Sequence, residues 1–434
     1  MAARLLMGIS LGFHIVFAVV GIGMPLLMVI AEGLWLRTRR PVYLELTRRW
    51  SKGTAILFAV GAVSGTVLSF ELGLLWPHFM RFAGPLIGMP FSLEGFAFFL
   101  EAIFLGIYLY GWERVSPRLH WFAGWVIAVS SVLSGGFVVL ANAWMNAPTG
   151  FTVVEGHVED VRPFAAMFNA AAFSQVQHMI VATYIALGFA VAAVHARLLL
   201  RQPHNEFHRR AYAIALAVGG LAALLGPISG DISAKDVARR QPLKLAAMEA
   251  HWETQAGAPL LLGGWPDEAA ERTLGAIPVP YALSLLAHND PFAPVRGLKE
   301  WPAADRPPVA VTHLAFDLMV GCGTALALVA LLGAWLAWRT RRLPMARGYL
   351  RAVVLCGPLG FLAIEAGWIV TEVGRQPWII YEVMRTAEAV TPVPWLPLRL
   401  VLFTAVYVFL GIVVIVLMRQ QVFQSPPARD WQDA

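Results

Sequence analysis

Nine apolar runs, each long enough to span a lipid bilayer, occupy most of this 434-residue chain. Only 14% of the residues are charged, and the mean hydropathy of +0.64 is far from that of a soluble enzyme. The runs cover roughly residues 5–35, 53–76, 91–112, 121–145, 171–199, 211–229, 309–338, 348–372 and 397–418. Because backbone polar groups in lipid must pair within the chain, these runs predict an all-α polytopic membrane protein of about nine transmembrane helices.

Most basic residues near the ends of these runs lie on one side of the predicted membrane. They are Arg37, Arg39, Arg40, Arg48, Arg49, Lys52, Arg114, Arg118, Arg197, Arg201, Arg209, Arg210, Arg339, Arg341, Arg342, Arg347 and Arg351. The positive-inside rule makes these loops cytoplasmic, with the N-terminus outside and the C-terminus cytoplasmic. The basic residues that give the chain its net charge of +6 are therefore expected to set its orientation in the membrane. No nucleic-acid partner is expected.

The chain divides at its longest loop. Residues 1–229 hold helices one to six, residues 230–308 form an outer loop, and residues 309–434 hold helices seven to nine. A loop this long is more often functional than idle. Its segment RRQPLKLAAMEAHWET predicts a helix, on which Lys244 and Glu249 are five positions apart and do not share a face. Taken alone, the segment fits a solvated loop helix better than a binding site.

Carboxylates inside the third run are costly in lipid and need a reason. Glu94 and Glu101 are seven residues apart, so both project from nearly one stripe, about 10 Å apart. This spacing suggests a ligand combined with a proton relay. In the fourth run Ser134 and Asn142 are eight residues apart and again share a stripe. For either alone, a hydrogen bond between helices is the simpler interpretation.

Two histidines, His14 and His178, lie deep in predicted spans. A lone intramembrane histidine is more often a hydrogen-bonded helix contact than a ligand, and a lone methionine such as Met319 is usually a packing residue. An imidazole opposite a thioether is nevertheless a standard axial pair for a low-spin haem.

The eighth run carries Glu365 well inside and is followed by the pentad GRQPW, with Arg375, Gln376 and Trp378. The arginine supplies donors suited to carboxylates, and the tryptophan suits a membrane boundary. This stretch alone fits a structural carboxylate beside an interfacial anchor as well as it fits a cofactor site.

Depth within the spans brings these residues together. Counted inward from the outer ends, the candidates all fall in the outer half of the bilayer and are predicted to line one cavity; they are His14, His178, Glu94, Glu101, Met319 and Glu365. Histidine, methionine and glutamate without a cysteine cluster fit haem iron better than zinc or an iron–sulfur cluster.

These motifs resemble subunit I of cytochrome bd-type quinol oxidases, in the class with a short quinol loop. The resemblance rests on the histidine of span one, the EGF…LE glutamates, the surroundings of His178, KLAAMEAHWET, LMVGCG, EAGW and GRQPW. It implies a fold of nine transmembrane helices with an outer quinol-binding loop, which agrees with the independent count of apolar runs.

The resemblance also implies roles for individual residues. His178 and Met319 correspond to axial ligands of a low-spin haem b, and His14 and Glu365 to ligands at two high-spin sites, with Glu94 on or beside that pair. The high-spin sites hold a high-spin haem b and haem d, or a second haem b in place of haem d, and their order is left open. Further implied positions are Glu101, Ser134 and Asn142 on a proton path, Lys244 and Glu249 as the quinol-oxidising pair, and Arg375, Gln376 and Trp378 as supports.

The function implied is that of a terminal oxidase in the prokaryotic cytoplasmic (inner) membrane. Membrane quinol is oxidised with its protons released outside, and oxygen is reduced to water with cytoplasmic protons and without pumping. The expected partners are a second multi-span subunit (subunit II) and, in some members, a small single-span subunit.

Two other hypotheses remain at this stage. A haem-free proton-coupled transporter or channel would use the buried glutamates and histidines, and would show broken helices or inverted repeats, neither of which the sequence predicts. A haem scaffold that only passes electrons onward would need no open oxygen site. One departure from the resemblance is Asp317, where a familiar member has arginine, and it casts doubt on a haem-propionate contact.

Overall fold

The computed structural model describes residues 2–155, 157–390 and 395–421. Within these residues, nine helical segments are long and apolar enough to cross a membrane, which confirms the predicted fold. The orientation of the chain remains a prediction, and the predicted cytoplasmic end, residues 422–434, lies outside the described residues.

Fourteen α-helices and ten short strands make up the described structure. In chain order they are α1 (Ala2–Thr38), α2 (Pro41–Leu75), α3 (Pro77–Tyr110), α4 (Pro117–Asn146), β1 (Thr152–Val154), β2 (His157–Glu159), α5 (Pro163–Met167), α6 (Ala172–Leu199), α7 (Glu206–Arg240), α8 (Pro242–Met248), β3 (Gln255–Ala256), β4 (Leu260–Leu262), β5 (Trp265–Asp267), β6 (Arg272–Leu274), β7 (Ile277–Val279), α9 (Ala282–His288), β8 (Pro294–Val295), α10 (Val309–Thr340), α11 (Arg347–Cys356), α12 (Leu359–Val373), β9 (Trp378–Ile380), β10 (Met384–Arg385), α13 (Thr386–Ala389) and α14 (Leu396–Gln421). The strands pair antiparallel as β1–β2, β3–β8, β4–β7, β5–β6 and β9–β10.

Several helices are longer than their apolar runs. Helix α3 begins at Pro77 and not near residue 91, and α7 continues to Arg240, ten residues into the predicted outer loop. Proline occupies the first turn of α2, α3 and α4, where its missing N–H costs nothing and its fixed φ favours the helix. A search for apolar runs identifies only the part of a helix that lies in lipid, so it does not detect these extensions.

The eighth span is interrupted between α11 and α12. Pro358 has no N–H to donate one turn back, and the Gly357 N–H donates instead to the Val354 carbonyl at 3.2 Å. Both residues keep helical dihedral angles, so the interruption is a kink within one span. Arg347–Val373 therefore remains a single membrane span that is kinked at Pro358.

Helices α6 and α7 pack against each other more closely than their side chains would normally allow. A Cβ atom at Gly188 would lie 2.3 Å from the Cα of Gly219, so the two backbones are in direct contact there. His178 and Ser229 each lie ten residues from this crossing, on α6 and α7 respectively. The crossing therefore sets the register that brings these two side chains face to face.

The segments after α4, α7 and α12 meet at the end of the bundle predicted to be outer. The Tyr381 N–H donates to the Met145 carbonyl at 2.9 Å, and Arg385 forms an ion pair with Asp305. Helix α8 lies under this layer with nearly all its side chains buried. The interpretation of this segment as a solvated loop helix is therefore wrong.

Candidate functional site

His178 on α6 is held by a hydroxyl of α7. Its Nδ1 lies 2.9 Å from Ser229 Oγ, and the serine is buried. When Nδ1–H donates to this oxygen, the lone pair of Nε2 is free for a metal. In that tautomer the imidazole could serve as a metal ligand.

Met319 on α10 faces α12. A Cβ atom at Gly367 would lie 2.9 Å from Met319 Sδ, so only glycine fits at that position without displacing the thioether. Helices α6 and α10 both pack against α7. This arrangement is compatible with His178 and Met319 serving as the two ligands of one haem.

His14 and Glu365 lie near the same turn of α1. His14 Nδ1 is 2.9 Å from Ser64 Oγ on α2, which leaves Nε2 available as in His178. Glu365 Oε2 on α12 lies 3.4 Å from where a Cβ of Gly12 would be. Among the described residues, Glu365 Oε1 is buried without a hydrogen-bond partner. A buried carboxylate oxygen left unpaired is costly, and iron would remove that cost.

Glu94 and Glu101 lie on one stripe of α3, as predicted. Ser134 Oγ donates to Glu94 Oε1 over a long 3.4 Å, and Glu101 is 5% exposed. Because α3 runs from Pro77 to Tyr110, Glu101 lies nine residues from the Tyr110 end. Glu101 is therefore nearer than Glu94 to the Tyr110 end of α3, and the depth of the six candidates in the bilayer stays a prediction.

Asn142 belongs to a different network from Ser134, although the two share a stripe of α4. Its Nδ2 donates to Glu372 Oε1, whose other oxygen accepts from Arg375 NH2 at 2.6 Å. Arg375 is 2% exposed, and its Nε and NH1 have no hydrogen-bond partner among the described residues. These two buried donors are available to a ligand's carboxylates.

Gln376 and Trp378 fix the turn that carries Arg375. Gln376 Oε1 accepts from Thr386 Oγ1 at 2.9 Å, and Arg385 lies over the Trp378 ring, 4.8 Å from its centroid. The Trp378 N–H also donates to the Arg375 carbonyl. Both residues are therefore placed as supports of the arginine.

Lys244 on α8 reaches into the same network from the outer loop. Its Nζ donates to Asn146 Oδ1 at 2.8 Å and to the Thr371 carbonyl at 3.2 Å. Burial and the nearby Arg375 lower the pKa of the lysine to about 7, against the opposite effect of Glu372.

Glu249, just after α8, points to a different neighbour from Lys244. Burial and the charge of Asp317 raise the pKa of its carboxyl to about 8. Asp317 itself has a partner, since His313 Nε2 lies 3.5 Å from its Oδ2. His313 Nδ1 also bonds the Met248 carbonyl at 2.8 Å, one residue before Glu249. Glu249 is thus held protonated at neutral pH beside the helix that carries Met319.

Sequence reasoning missed the residues that orient these groups. Ser64 and Ser229 each bond a candidate ligand, and Asn146 and Glu372 link the outer loop to the bundle. Of these four residues, only Glu372 could have been identified from the sequence, because it is a carboxylate at the end of an apolar run. The serines could not, because a hydroxyl in a helix is satisfied by its own backbone and is common in any span.

The donor set fits haem. Imidazole, thioether and carboxylate ligands are present singly or in pairs, and no cluster of three or more His, Cys, Asp or Glu side chains that could cage a bare metal ion occurs in the described residues. Arg375, with its two unpaired donors, suits the propionates that haem carries.

Fold and site together define an integral-membrane haem oxidoreductase. The chain belongs to the cytochrome bd terminal oxidase subunit I family, whose sequence model matches residues 2–426. This membership confirms the predicted resemblance and oxidase function, and it gives no support to a transporter.

Individual relatives agree along the whole chain. A Bacillus subtilis protein named as a candidate cytochrome bd menaquinol oxidase subunit I is 35% identical over all of this chain and 98% of its own length. The cytochrome bd ubiquinol oxidase subunit 1 of the same organism is 33% identical over 94% of this chain and 90% of its own. The solved structure of bd oxidase from Geobacillus thermodenitrificans superposes with a TM-score of 0.92 at 38% identity, covering 98% of both chains.

Proposed function

We propose that this chain is the quinol-oxidising and oxygen-reducing subunit of a bd-type oxidase in the prokaryotic inner membrane, with a second multi-span subunit as partner. The observation that carries the proposal is a set of buried polar atoms that suit haem and have no hydrogen-bond partner among the described residues, namely Arg375 Nε and Nη1 and Glu365 Oε1. A small single-span subunit is proposed as a further partner.

The quinol site lies where the outer loop meets the bundle. Lys244 and Glu249 both have pKa values near neutrality and lie on one short buried segment. Lys244 would bind and orient a quinol hydroxyl, and Glu249 would accept a proton and release it outside. Since the two side chains face different neighbours, each would serve a different part of the quinol head.

Four side chains would hold the haems. His178 with Met319 would ligate the low-spin haem b, while His14 and Glu365, with Glu94 beside them, would serve the two high-spin haems, of which one is haem d or a second haem b. When bound, these groups supply one-electron transfer and the reduction of oxygen. The chain's own contribution is to fix each ligand through Ser229 or Ser64 and to neutralise propionate charge with Arg375.

Protons for oxygen reduction would come from the cytoplasm. Glu101 lies on the inner part of α3, and Glu94 continues its stripe toward the proposed high-spin sites. Ser134 bonds Glu94, so the three groups form a path between helices α3 and α4. Protons released outside and taken up inside would separate one charge per electron without a pump.

Purification of the complete two-subunit complex tests the proposal. We expect low-spin and high-spin haem absorbance, oxygen consumption with a reduced quinol, and about one proton released outside per electron in vesicles. A colourless complex would refute the haem assignment, and a ratio near two would refute the absence of pumping.

A further inference from the structure

A second group of buried ionisable residues lies at the other end of the bundle, away from every proposed ligand. It joins Glu32 on α1, Tyr108 on α3 and His120 on α4, whose side chains are 0%, 0% and 2% exposed. His120 Nδ1 lies 2.7 Å from Glu32 Oε1, and Tyr108 OH donates to Glu32 Oε2 at 2.5 Å. This cluster is the inner cluster.

The hydrogen bonds fix how many protons the inner cluster holds. His120 Nε2 lies 2.8 Å from the Tyr108 carbonyl, which can only accept, so Nε2 carries a proton. The short contact between Nδ1 and Glu32 Oε1 needs one further proton, on either partner. The Glu32–His120 pair therefore shares a single proton that can move between the two atoms.

The inner cluster also continues the carboxylate stripe of α3. Glu94, Glu101 and Tyr108 are spaced by seven residues each, so they lie on one face of the helix with about 10 Å between successive positions. Glu101, the proposed proton-path residue, is thus the next polar group along that face from Tyr108 toward the Pro77 end of α3.

On its other side the inner cluster approaches the basic end of the bundle. The Trp112 ring packs against the His120 ring with centroids 3.9 Å apart and the planes tilted by 36°, and the Arg48 guanidinium of α2 lies 5.2 Å from the Trp112 centroid. Trp112 is the aromatic cover between the pair and the arginine-rich loops that the positive-inside rule makes cytoplasmic.

We infer that the Glu32–His120 pair is a proton-loading site from which Glu101 is refilled. One proton enters the pair from the arginine-rich end as one leaves toward Glu101, so the pair returns to its starting state and no electron moves. This inference rests on the proposed function, because Glu101 must be emptied by oxygen reduction.

The alternative is a purely structural clamp of three helices, and Glu32→Gln separates the two. A glutamine amide can donate to a neutral His120 Nδ1 and accept from Tyr108 OH, so every hydrogen bond survives while the shared proton is lost. The fully reduced two-subunit complex is mixed with oxygen, and proton uptake is followed with a pH dye in H2O and D2O. We expect uptake about tenfold slower or more, with unchanged haem content.

Matched variants complete the test. Tyr108→Phe removes one hydrogen bond but keeps the shared proton, so we expect less than about a threefold change; Glu32→Asp keeps a titratable group and should be faster than Glu32→Gln. Where Glu32→Gln does not assemble, His120→Gln removes the second site of the shared proton: its amide can still donate to the Tyr108 carbonyl, Glu32 keeps its proton to donate to the amide oxygen, and we again expect slower uptake because the proton can no longer pass through the pair. Wild-type uptake in an assembled amide variant overturns the inference, whereas an unmodified complex without haem or oxidase activity overturns the proposed function.

Discussion

The outer network, which joins Arg375, Glu372, Asn142, Asn146 and Lys244, and the inner cluster around Glu32 are both built from largely buried polar and ionisable side chains, yet their hydrogen bonding differs. In the outer network Arg375 Nε and Nη1 have no hydrogen-bond partner among the described residues, and the same holds for Glu365 Oε1 on α12. In the inner cluster both nitrogens of His120 and both oxygens of Glu32 have partners.

This difference separates two uses of costly polar groups in a membrane. Buried polar groups without a partner in a low-dielectric interior need an outside ligand to remove the desolvation penalty. A closed cluster needs no ligand, so its remaining capacity is to hold helices together or to hold a proton. The outer network should therefore respond to loss of haem, and the inner cluster should not.

Replacement of His178 should have the largest effect. His178→Ala or Met319→Ala removes a proposed axial ligand, so we expect loss of the low-spin haem signal and at least about a hundredfold loss of quinol oxidation. The optical spectrum of the purified complex measures the first and oxygen consumption the second. His78→Ala is the control, since His78 is exposed and bonds only the Glu388 carbonyl among the contacts described. An unaltered low-spin spectrum in either ligand variant would show the assignment to be wrong.

Replacement of Arg375 should be the next most damaging. Arg375→Leu leaves the partly buried Glu372 without its cation and removes the donors proposed for propionates. We expect a clear fall in the haem-to-protein ratio. Arg375→Lys retains the charge and should retain more haem. A normal ratio in the leucine variant would mean that the open donors of the outer network are not used by haem.

The pH dependence of quinol oxidation tests the loop residues. Glu249 has its pKa raised to about 8, so it is protonated at pH 7 and becomes a base as pH rises through 8. Lys244, with its pKa lowered to about 7, loses its charge over the range just below. We expect the rate to rise between pH 6 and about 8.5, and Glu249→Gln to lose the upper part of this rise along with about tenfold or more in rate. A variant with the wild-type profile would exclude Glu249 as the proton acceptor.

The smallest effect should come from the edge of the inner cluster. Tyr108→Phe removes one donor from a buried carboxylate, which costs about 1–3 kcal/mol in stability. We expect a lower thermal midpoint of the purified complex with the haem spectrum unchanged. If haem were lost along with stability, the proposed independence of the two regions would fail.

The fold was largely predictable from sequence because a bilayer demands long apolar runs. What the apolar runs did not give were the ends of helices, such as Pro77–Phe91 in α3, where Arg81, Pro85 and Pro90 interrupt a mostly apolar segment, and the polar last turns of α7. The kink at Pro358 follows from the local sequence, but the apolar run does not show where the backbone hydrogen bonds of the helix are interrupted.

The site was only partly predictable, for a different reason. Ionisable residues in lipid stand out one by one, so Glu94, Glu101 and Glu365 were evident. Their pairing was not, because the contact between Asn142 and Glu372 joins residues 230 positions apart and depends on how helices are rotated against each other. The inner cluster was not predicted for the same reason, because Glu32 and His120 come into contact only through tertiary packing.

The glycine crossing of α6 and α7 determines how precisely His178, a proposed haem ligand, is positioned. A single methyl group at Gly188 or Gly219 would have to wedge the two helices apart, although both positions are about 15 Å along the helix from His178 and Ser229. His178 would then move away from Ser229 Oγ, which orients the imidazole, and the distances for electron tunnelling to and from the proposed haem would lengthen. In this chain, two positions without a side chain would thus set the spacing of helices at the proposed haem site.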